Sequence, residues 1–464
     1  LTPAEVIAAV RPVGAGPVPL RAEVARVTTD SREAAEGSLF VALRGERADG
    51  ADFVEEAFRR GAVAAIVSEE GFRRVPPAVA AANPVLVVQD PVEALGDLAL
   101  AHRRRLRAIP LVAITGSSGK TSTKEMLAAL LGRRRRVHRN EGNRNNLVGM
   151  PLALLELSDA HDVAVMELGT NRPGEIARLA AIAAPDVALV TNIAPAHLEG
   201  LGSLEGVARE KGDLFRALGE GGTAVVNATD LRVVREAARC GARKVFYGAP
   251  LNDFSGRIVS MDDAGMQAAI RTPAGEFLCA IPAPGEHVLQ NAVAAAAAAF
   301  VLGMPPGDLA GGFAAFASLP GRFRPVPLRG GGLLLDDAYN ANPASMEAAI
   351  RGAVRLARGR RLVFVLGDMR ELGEAAFASH LRIGRIAARA GAARLFAFGE
   401  AGELLARGAL EEGMDPAAVA HHTDRDRLRD AVLSVLRDGD VVLVKASRAM
   451  RLDEIALAVE RERA

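Results

Sequence analysis

The sequence predicts an α/β protein of three domains, on three observations. Short apolar runs recur along the chain and each breaks off into polar residues, stretches of helical periodicity separate them, and turn-rich segments at Pro110 and Leu319-Pro-Gly321 divide the whole. A length of 464 residues corresponds to about three domains.

The elements follow in order. Ser38 to Leu43 reads as a strand, Ala51 to Arg60 as a helix, and Ala62 to Val67 and Val85 to Val88 as further strands. Polar loops at Thr28-Thr-Asp-Ser-Arg32 and Arg44 to Gly50 sit where a small α/β domain binds ligands. The helix Pro91 to Arg107 leads to the first boundary.

Leu111 to Thr115 is the next apolar run, followed by Gly116-Ser117-Ser118-Gly119-Lys120-Thr121-Ser122 and a helix that ends before Gly132. Strand, glycine loop and helix in this order make an anion site. The glycines let backbone N–H groups and the positive helix end face one ligand, Lys120 adds a point charge, and the Thr121 hydroxyl suits a metal ion. The ligand expected is ATP with magnesium. The loop is a shortened variant of the usual phosphate loop, because Ile114 stands where the first glycine would fall. The alternative is a Gly-rich turn without a ligand.

Asn140 to Asn146 contains no apolar side chain and precedes an apolar helix, so Asn145 and Asn146 are candidate contacts to a polar substrate, or part of a solvated connector. Val163 to Met166 ends at Glu167, a carboxylate at the tip of a buried strand and a reasonable magnesium ligand. The strand Val187 to Asn192 carries the chain to His197 at the same edge, where an imidazole can meet a metal or phosphate or serve only structure.

In the helix Ser203 to Leu218, positions 204, 208, 211, 215 and 218 share one face. Lys211 therefore interrupts an apolar stripe. Burial disfavours its charged form, so a neutral amine becomes accessible and could take up carbon dioxide as a carbamate able to bind magnesium. A snorkelling lysine or a simple phosphate contact stays open at this point. Lysine is scarce: only Lys120, Lys124, Lys211, Lys244 and Lys445 occur among 57 basic residues. Where arginine supplies ordinary surface charge, a lysine suggests work that a guanidinium cannot do.

Gly222 to Ala283 supplies β-rich runs, and Asn291 opens an alanine-rich helix through Leu302. In the last third, Leu333 to Leu335 precedes Asp336-Asp337-Ala-Tyr339-Asn340, Leu362 to Leu366 precedes Gly367-Asp368-Met-Arg-Glu371-Leu-Gly373, and Val441 to Val444 precedes Lys445-Ala-Ser447-Arg448. This is the pattern of a doubly wound sheet with its working edge at the strand ends.

Bulk properties narrow the function. Hydrophobic content of 50% and charged content of 24% describe an ordinary globular protein, and a formal charge of +1 argues against a nucleic-acid partner. The run Arg133 to Arg136 reads as a solvated helix end or a phosphate contact. Two cysteines, Cys240 and Cys279, are too few for a disulfide scaffold. No apolar stretch reaches membrane-spanning length and the amino terminus lacks a signal pattern, so a cytoplasmic protein is expected.

Taken jointly, the phosphate loop, Gly142-Asn-Arg-Asn-Asn146, Glu167-Leu-Gly169, His197-Leu-Glu-Gly200, Lys211-Gly-Asp-Leu-Phe215, Asp336 to Asn342, Gly367 to Gly373 and Lys445 with Ser447-Arg448 resemble the Mur ligase family over essentially the whole chain. The resemblance implies a UDP-substrate-binding domain at residues 1–108, a central ATP-binding domain with a mainly parallel sheet at 109–319, and a Rossmann-like α/β domain at 320–464. It implies that Ser31 and Arg32 contact the uridine nucleotide, that Thr121 and Glu167 hold one magnesium ion, and that His197 and carbamylated Lys211 hold a second. Asn291 would meet the adenine, Arg322 and Asp337 the ribose or phosphates, and Tyr339 and Asn340 would line the base pocket. Lys445 and Arg448 would approach the reacting groups.

Within the family the pattern is most similar to members that join D-alanyl-D-alanine to UDP-N-acetylmuramoyl-tripeptide at the expense of ATP, with a monomer expected. Two positions depart from the family pattern, Val288 after His287 where Asn is usual and Ala446 where Gly is usual. The alternative readings are a sibling ligase with another acceptor, an enzyme acting on folate or a polyamide and, from a different class, a small-molecule kinase or nucleotide switch.

Overall fold

Four sheets organise the chain, whose computed structural model describes residues 1–463. The first contains β1 (Gly14–Ala15), β2 (Arg26–Thr28), β3 (Ser38–Val41), β4 (Ala62–Ser68) and β5 (Val85–Val88) in the order β1-β5-β4-β3-β2, parallel except for β1. The helix expected over Ala51 to Arg60 divides into a 3₁₀ turn, Gly50–Phe53, and an α-helix, Val54–Arg59. Asp49 caps the turn by accepting from the Ala51 N–H, which tightens the entry.

The central sheet is wholly parallel. It contains β6 (Leu111–Thr115), β7 (Val137–Arg139), β8 (Val163–Glu167), β9 (Val187–Val190), β10 (Thr223–Asn227) and β11 (Arg243–Tyr247), ordered β11-β10-β9-β6-β8-β7. Every residue of β6, β8 and β9 is buried, as expected of strands covered on both faces. β6 lies between β8 and β9, the strand order reverses beside it, and a crevice opens at the carboxyl ends. The antiparallel strands β12 (Ser255–Met261), β13 (Met266–Thr272) and β14 (Gly275–Ile281) share a core with the helix Glu286–Val301. This helix begins five residues before Asn291, directly after Gly285 at φ +120°, so Asn291 lies inside its second turn and does not open it. Ala292 to Ala299 are all buried, their small side chains letting it lie close to the helix Lys120–Leu131.

The last sheet has β15 (Arg324–Leu328), β16 (Gly332–Asp337), β17 (Leu362–Gly367), β18 (Arg394–Phe398), β19 (Val419–His422) and β20 (Val441–Lys445) in the order β15-β16-β20-β17-β18-β19. Only β15 runs antiparallel to its neighbour. Inserting β20 between β16 and β17 gathers Asp337, Lys445 and the loop after Gly367 at one edge. Ala446, one of the two departures, is fully buried, and a Cβ on Gly367 would come 2.8 Å from its methyl, so the glycine makes room for it. Both cysteines are free, and no helix is long and apolar enough to cross a membrane among the described residues.

Candidate active site

The glycine loop is pinned by its surroundings. Gly116 (φ +148°) and Gly119 (φ +78°) have no room for a side chain, because a Cβ would lie 1.8 Å from Thr191 Oγ1 at the first and 2.4 Å from Asn291 Oδ1 at the second. Ser117 N–H donates to Asn192 O at 3.0 Å, Ser117 Oγ donates to Ala194 O at 2.9 Å, and Ser118 N–H donates to Asn192 Oδ1 at 3.1 Å. Thr191 Oγ1 donates to Ser118 O at 2.6 Å. The Thr123 N–H returns to Gly119 O at 2.9 Å, leaving the N–H groups of Lys120, Thr121 and Ser122 as the first-turn donors of the helix Lys120–Leu131. Lys120 Nζ donates to Gly116 O at 2.8 Å; burial holds its ammonium below the usual lysine range, with Glu167 opposing and Arg322 adding to the effect.

Glu167 is 2% exposed at the end of β8. Its Oε1 accepts from Asn145 Nδ2 at 2.7 Å, while Oε2 is buried with no partner among the described residues. Asn140 fixes this strand end through its side chain, accepting from the Glu167 N–H at 2.8 Å and donating to Glu167 O at 2.9 Å. Asn145 thus orients a carboxylate. Asn146 Oδ1 caps the helix Gly149–Leu155 by accepting from the Val148 and Gly149 N–H groups, at 3.2 and 2.8 Å.

Lys211 sits in the helix Leu204–Arg216 and is 1% exposed. Its sequence neighbour Glu210 is engaged elsewhere, accepting from Thr170 Oγ1 at 3.0 Å and from the Gly174 and Ile176 N–H groups at 2.7 Å each. Burial first, and the nearby Lys120 charge second, push the Lys211 ammonium down to about 7, against the pull of Glu210. His197 caps the helix Leu198–Leu201 from a left-handed conformation and contacts Glu371 through Nδ1; that imidazole holds the Glu371 carboxyl below its usual range.

The C-terminal sheet completes the cleft. Arg322 Nη2 donates to Thr121 Oγ1 at 3.1 Å and its guanidinium lies 3.8 Å over the Tyr339 ring. Asn342 Nδ2 reaches Ser117 O at 3.4 Å. Lys445, 2% exposed, donates to Asp337 Oδ2 at 2.7 Å and to Asn340 O at 2.9 Å. Burial raises the Asp337 carboxyl above its ordinary value in spite of Lys445. His287 stands edge-on to Phe323 at 4.8 Å, its imidazole pushed down to about 4 by burial and by Lys445. Val288, the other departure, packs into the apolar core.

A cavity of about 640 Å³ joins these groups, lined by Ser117 to Ser122, Asn145, Asn146, Glu167, His197, Asn291, Arg322, Asp337, Tyr339, Asn340 and Lys445. Five of the expected site residues, Ser31, Arg32, Gly116, Lys211 and Arg448, stand apart from its wall. Ser31 is buried and Arg32 is turned onto Asp30 at 2.5 Å, both in the first domain. Arg448 pairs with Asp453 at 3.0 Å, its guanidinium 5.8 Å from the Tyr339 ring. The run Arg133 to Arg136 serves structure: Arg134 pairs with Asp308, Arg135 donates to Leu302 O at 2.5 Å and Arg136 pairs with Asp162 at 2.8 Å.

Sequence reasoning passed over Thr191, Asn192, Asn342 and Gln290. The first two follow β9 directly, and a polar pair at a buried strand's end was their only signal. Gln290 also lines the cavity, and its Oε1 is buried with no partner among the described residues. Glu371 falls within the stretch Gly367 to Gly373, where the sequence alone gives it no role.

Comparison with known proteins agrees with this geometry. Three family descriptions match in succession: "Mur ligase family, catalytic domain" over residues 23–103, "Mur ligase middle domain" over 114–299, and "Mur ligase, glutamate ligase domain" over 321–448. The UDP-N-acetylmuramoyl-tripeptide–D-alanyl-D-alanine ligase of Escherichia coli K12 is 38% identical over 439 residues, covering 94% of this chain and 93% of its own. The crystal structure of MurF from Acinetobacter baumannii superposes with a TM-score of 0.87 at 30% identity, covering 99% of both chains. The MurF ligase of Thermotoga maritima in complex with ADP gives 0.81 at 29% identity, covering 94% of this chain and 97% of its own. With this identity and coverage, and with the phosphate loop, Glu167 and the edge of the C-terminal sheet around one cleft, the chain belongs to the Mur ligase family.

Proposed function

We infer that the protein is an ATP-dependent carbon–nitrogen ligase that adds D-alanyl-D-alanine to UDP-N-acetylmuramoyl-tripeptide, giving the pentapeptide precursor of peptidoglycan with release of ADP and phosphate. The observation that carries this reading is the 38% identity to a ligase of that name, sustained over 94% of the chain.

Joining a carboxylate to an amine requires the carboxylate to become electrophilic. In the proposed sequence the peptide's terminal carboxylate attacks the γ-phosphorus of ATP, ADP leaves, and the resulting acyl phosphate is attacked by the amine of D-alanyl-D-alanine. The tetrahedral adduct loses a proton and expels phosphate. The first-turn N–H groups and Lys120 grip the phosphates, and Arg322 reaches them from the C-terminal domain. Asn291, Tyr339 and Asn340 bound the base pocket, with Asp337 toward the ribose. Lys445 and Arg448 attend the reacting groups, and domain closure shields the acyl phosphate from water. Ser31 and Arg32 receive the uridine nucleotide, and Asn145 and Asn146 lie on the route of its peptide.

The donor set suits magnesium. Glu167 Oε2 is a buried carboxylate oxygen without a partner and the Thr121 hydroxyl lies in the same cavity. No group of three or more His, Cys, Asp or Glu side chains gathers as a metal cage among the described residues; magnesium commonly takes one or two carboxylates together with substrate phosphates. Bound there, magnesium would neutralise charge developing on the transferred phosphoryl group. We assign one ion to Thr121 and Glu167 and a second to His197 and Lys211. Lys211 takes its part as a carbamate, formed when its neutral amine adds carbon dioxide and loses a proton. We also take the domains as 1–108, 109–319 and 320–464, and the working form as a cytoplasmic monomer.

Phosphate release with UDP-N-acetylmuramoyl-tripeptide, ATP and a panel of acceptors tests the reading. Release is expected with D-alanyl-D-alanine and not with single amino acids. Release with a single amino acid instead would make the protein a sibling ligase, and a stable phosphorylated product would make it a kinase.

A further inference from the structure

We propose that Glu371 is a positioning residue for the reaction: its carboxylate accepts the Nδ1 proton of His197 across the domain boundary and fixes the imidazole with Nε2 free toward the cleft.

Two independent observations carry this. The first is the contact itself. Residues 174 apart in sequence, on connections that follow strands of different sheets, meet through His197 Nδ1 and Glu371 Oε2, and the Glu199 N–H donates to Glu371 O at 3.2 Å beside them. With Nδ1 committed, the ring's tautomer and plane are set and the other nitrogen keeps its lone pair, the arrangement by which a carboxylate aims a ligating histidine. His197 lines the same cavity as Glu167.

The second is the backbone. His197 (φ +55°) and Glu371 (φ +64°) are two of only seven non-glycine residues in the left-handed region among the described residues. Neither position holds the glycine that would relieve the strain. Such conformations cost about 1–3 kcal/mol each and persist where the surroundings impose them, often at functional sites.

The loop that carries Glu371 is fixed to its own domain. Met369 and Leu372 are buried, the Met369 N–H donates to His380 Nε2 at 2.9 Å, and the Arg370 N–H donates to Ser447 Oγ at 2.8 Å. The Ser447 N–H returns to Asp368 O at 3.0 Å. Ser447 stands two residues after Lys445, so one rigid edge carries both Lys445 and Glu371. Closure of the C-terminal domain therefore aligns the imidazole in the same movement that delivers Lys445.

The inference rests on the ligase reading, and the test separates the two. Glu371→Ala, Glu371→Gln, His197→Ala and the His197→Ala/Glu371→Ala double variant are compared for steady-state phosphate release. Mn²⁺ binding in the presence of a non-hydrolysable ATP analogue is followed by electron paramagnetic resonance, and compactness by small-angle X-ray scattering. Expected for Glu371→Ala is a fall in kcat of about 10- to 100-fold, with KM for ATP within about twofold, weakened Mn²⁺ binding and unchanged compaction with nucleotide. Glu371→Gln, which can still accept from Nδ1, recovers part of the loss, and the double variant is no worse than His197→Ala alone. A change in KM and compaction with kcat intact would reduce the pair to a domain latch and overturn the proposal. So would losses that multiply in the double variant. If wild-type enzyme releases no phosphate with any acceptor, the ligase reading fails, while the Mn²⁺ comparison still decides whether Glu371 orients His197.

Discussion

Two lysines are buried to nearly the same degree in different domains, and their surroundings differ. Lys445, at the end of β20, is met by the Asp337 carboxylate at 2.7 Å and by Asn340 O. Lys211, on a helix of the central domain, has no carboxylate as an ion-pair partner among the described residues, because Glu210 is committed to Thr170 and to the backbone of residues 174 and 176. An ion pair offsets part of the cost of burying a charge. Burial without one favours the neutral amine, and the Lys211 ammonium falls to about 7. The C-terminal sheet thus carries a buried lysine with an ion-pair partner, and the central domain one that has none among the described residues.

The largest effect expected is on Lys211→Met, which keeps the volume and deletes the amine. Turnover should drop by at least about 100-fold, and short carboxylic acids should restore part of it by standing in for the carbamate. Wild-type turnover in this variant would end the carbamate assignment. Stability separates the same two states. Between about pH 7 and the ordinary lysine value of 10.5 the unfolded chain binds a proton at this position that the folded chain does not. The burial penalty is therefore complete below pH 7 and is relieved as pH rises through that window. Urea unfolding in buffer free of carbon dioxide should show wild type gaining on Lys211→Met between pH 7 and 10.

Lys445→Met sharpens the comparison from the other side. Removing this cation leaves Asp337 buried and unpaired, so a loss of about 3 kcal/mol is expected at neutral pH, whereas Lys211→Met is neutral or stabilising. The loss should shrink toward pH 5, because burial already raises the Asp337 carboxyl and without Lys445 it takes up a proton more readily. Adding Asp337→Asn should recover most of the stability. If the single variants behave alike, the contrast between paired and unpaired burial is wrong.

How much of this was legible in the sequence depended on whether the signal was local. The strand–loop–helix around Gly116 to Lys120 is contiguous, and the structure reproduces it. Lys211 was readable because helical spacing alone put it on an apolar face. Scarcity of lysine was a useful guide: Lys124, Lys211 and Lys445 are buried and Lys120 lies in the cleft, while Lys244 only donates to the Cys240 and Ala242 carbonyls. Lys124 was named without a role, and it holds Asn140 O at 2.5 Å beneath the segment that fixes Glu167. Contacts made by distant segments were not legible. Nothing near His197 announces Glu371, and nothing near Ser117 announces Asn342. Asn145 and Asn146 look alike in sequence, yet one orients a carboxylate and the other caps a helix, because only the turn between them and the strand end at Glu167 decides which side chain reaches what. The start of the helix Glu286–Val301 was placed late because its alanine-rich body gave a stronger signal than the first turn after Gly285.

The smallest stability effect is expected at Arg448, also at the edge of the C-terminal sheet but outside the buried pair. Its side chain is 60% exposed and its partner Asp453 35%. An ion pair screened to that extent contributes little, so Arg448→Ala should change unfolding free energy by no more than about 0.5 kcal/mol. If Arg448 nonetheless approaches the reacting groups, kcat should fall about tenfold or more while the melting temperature stays put. That split would place Arg448 with Lys211, as a residue kept for chemistry and not for the fold. A variant that loses neither activity nor stability would show that the working surface of the C-terminal domain ends at Lys445, and that the cation near the Tyr339 ring is an ordinary surface charge.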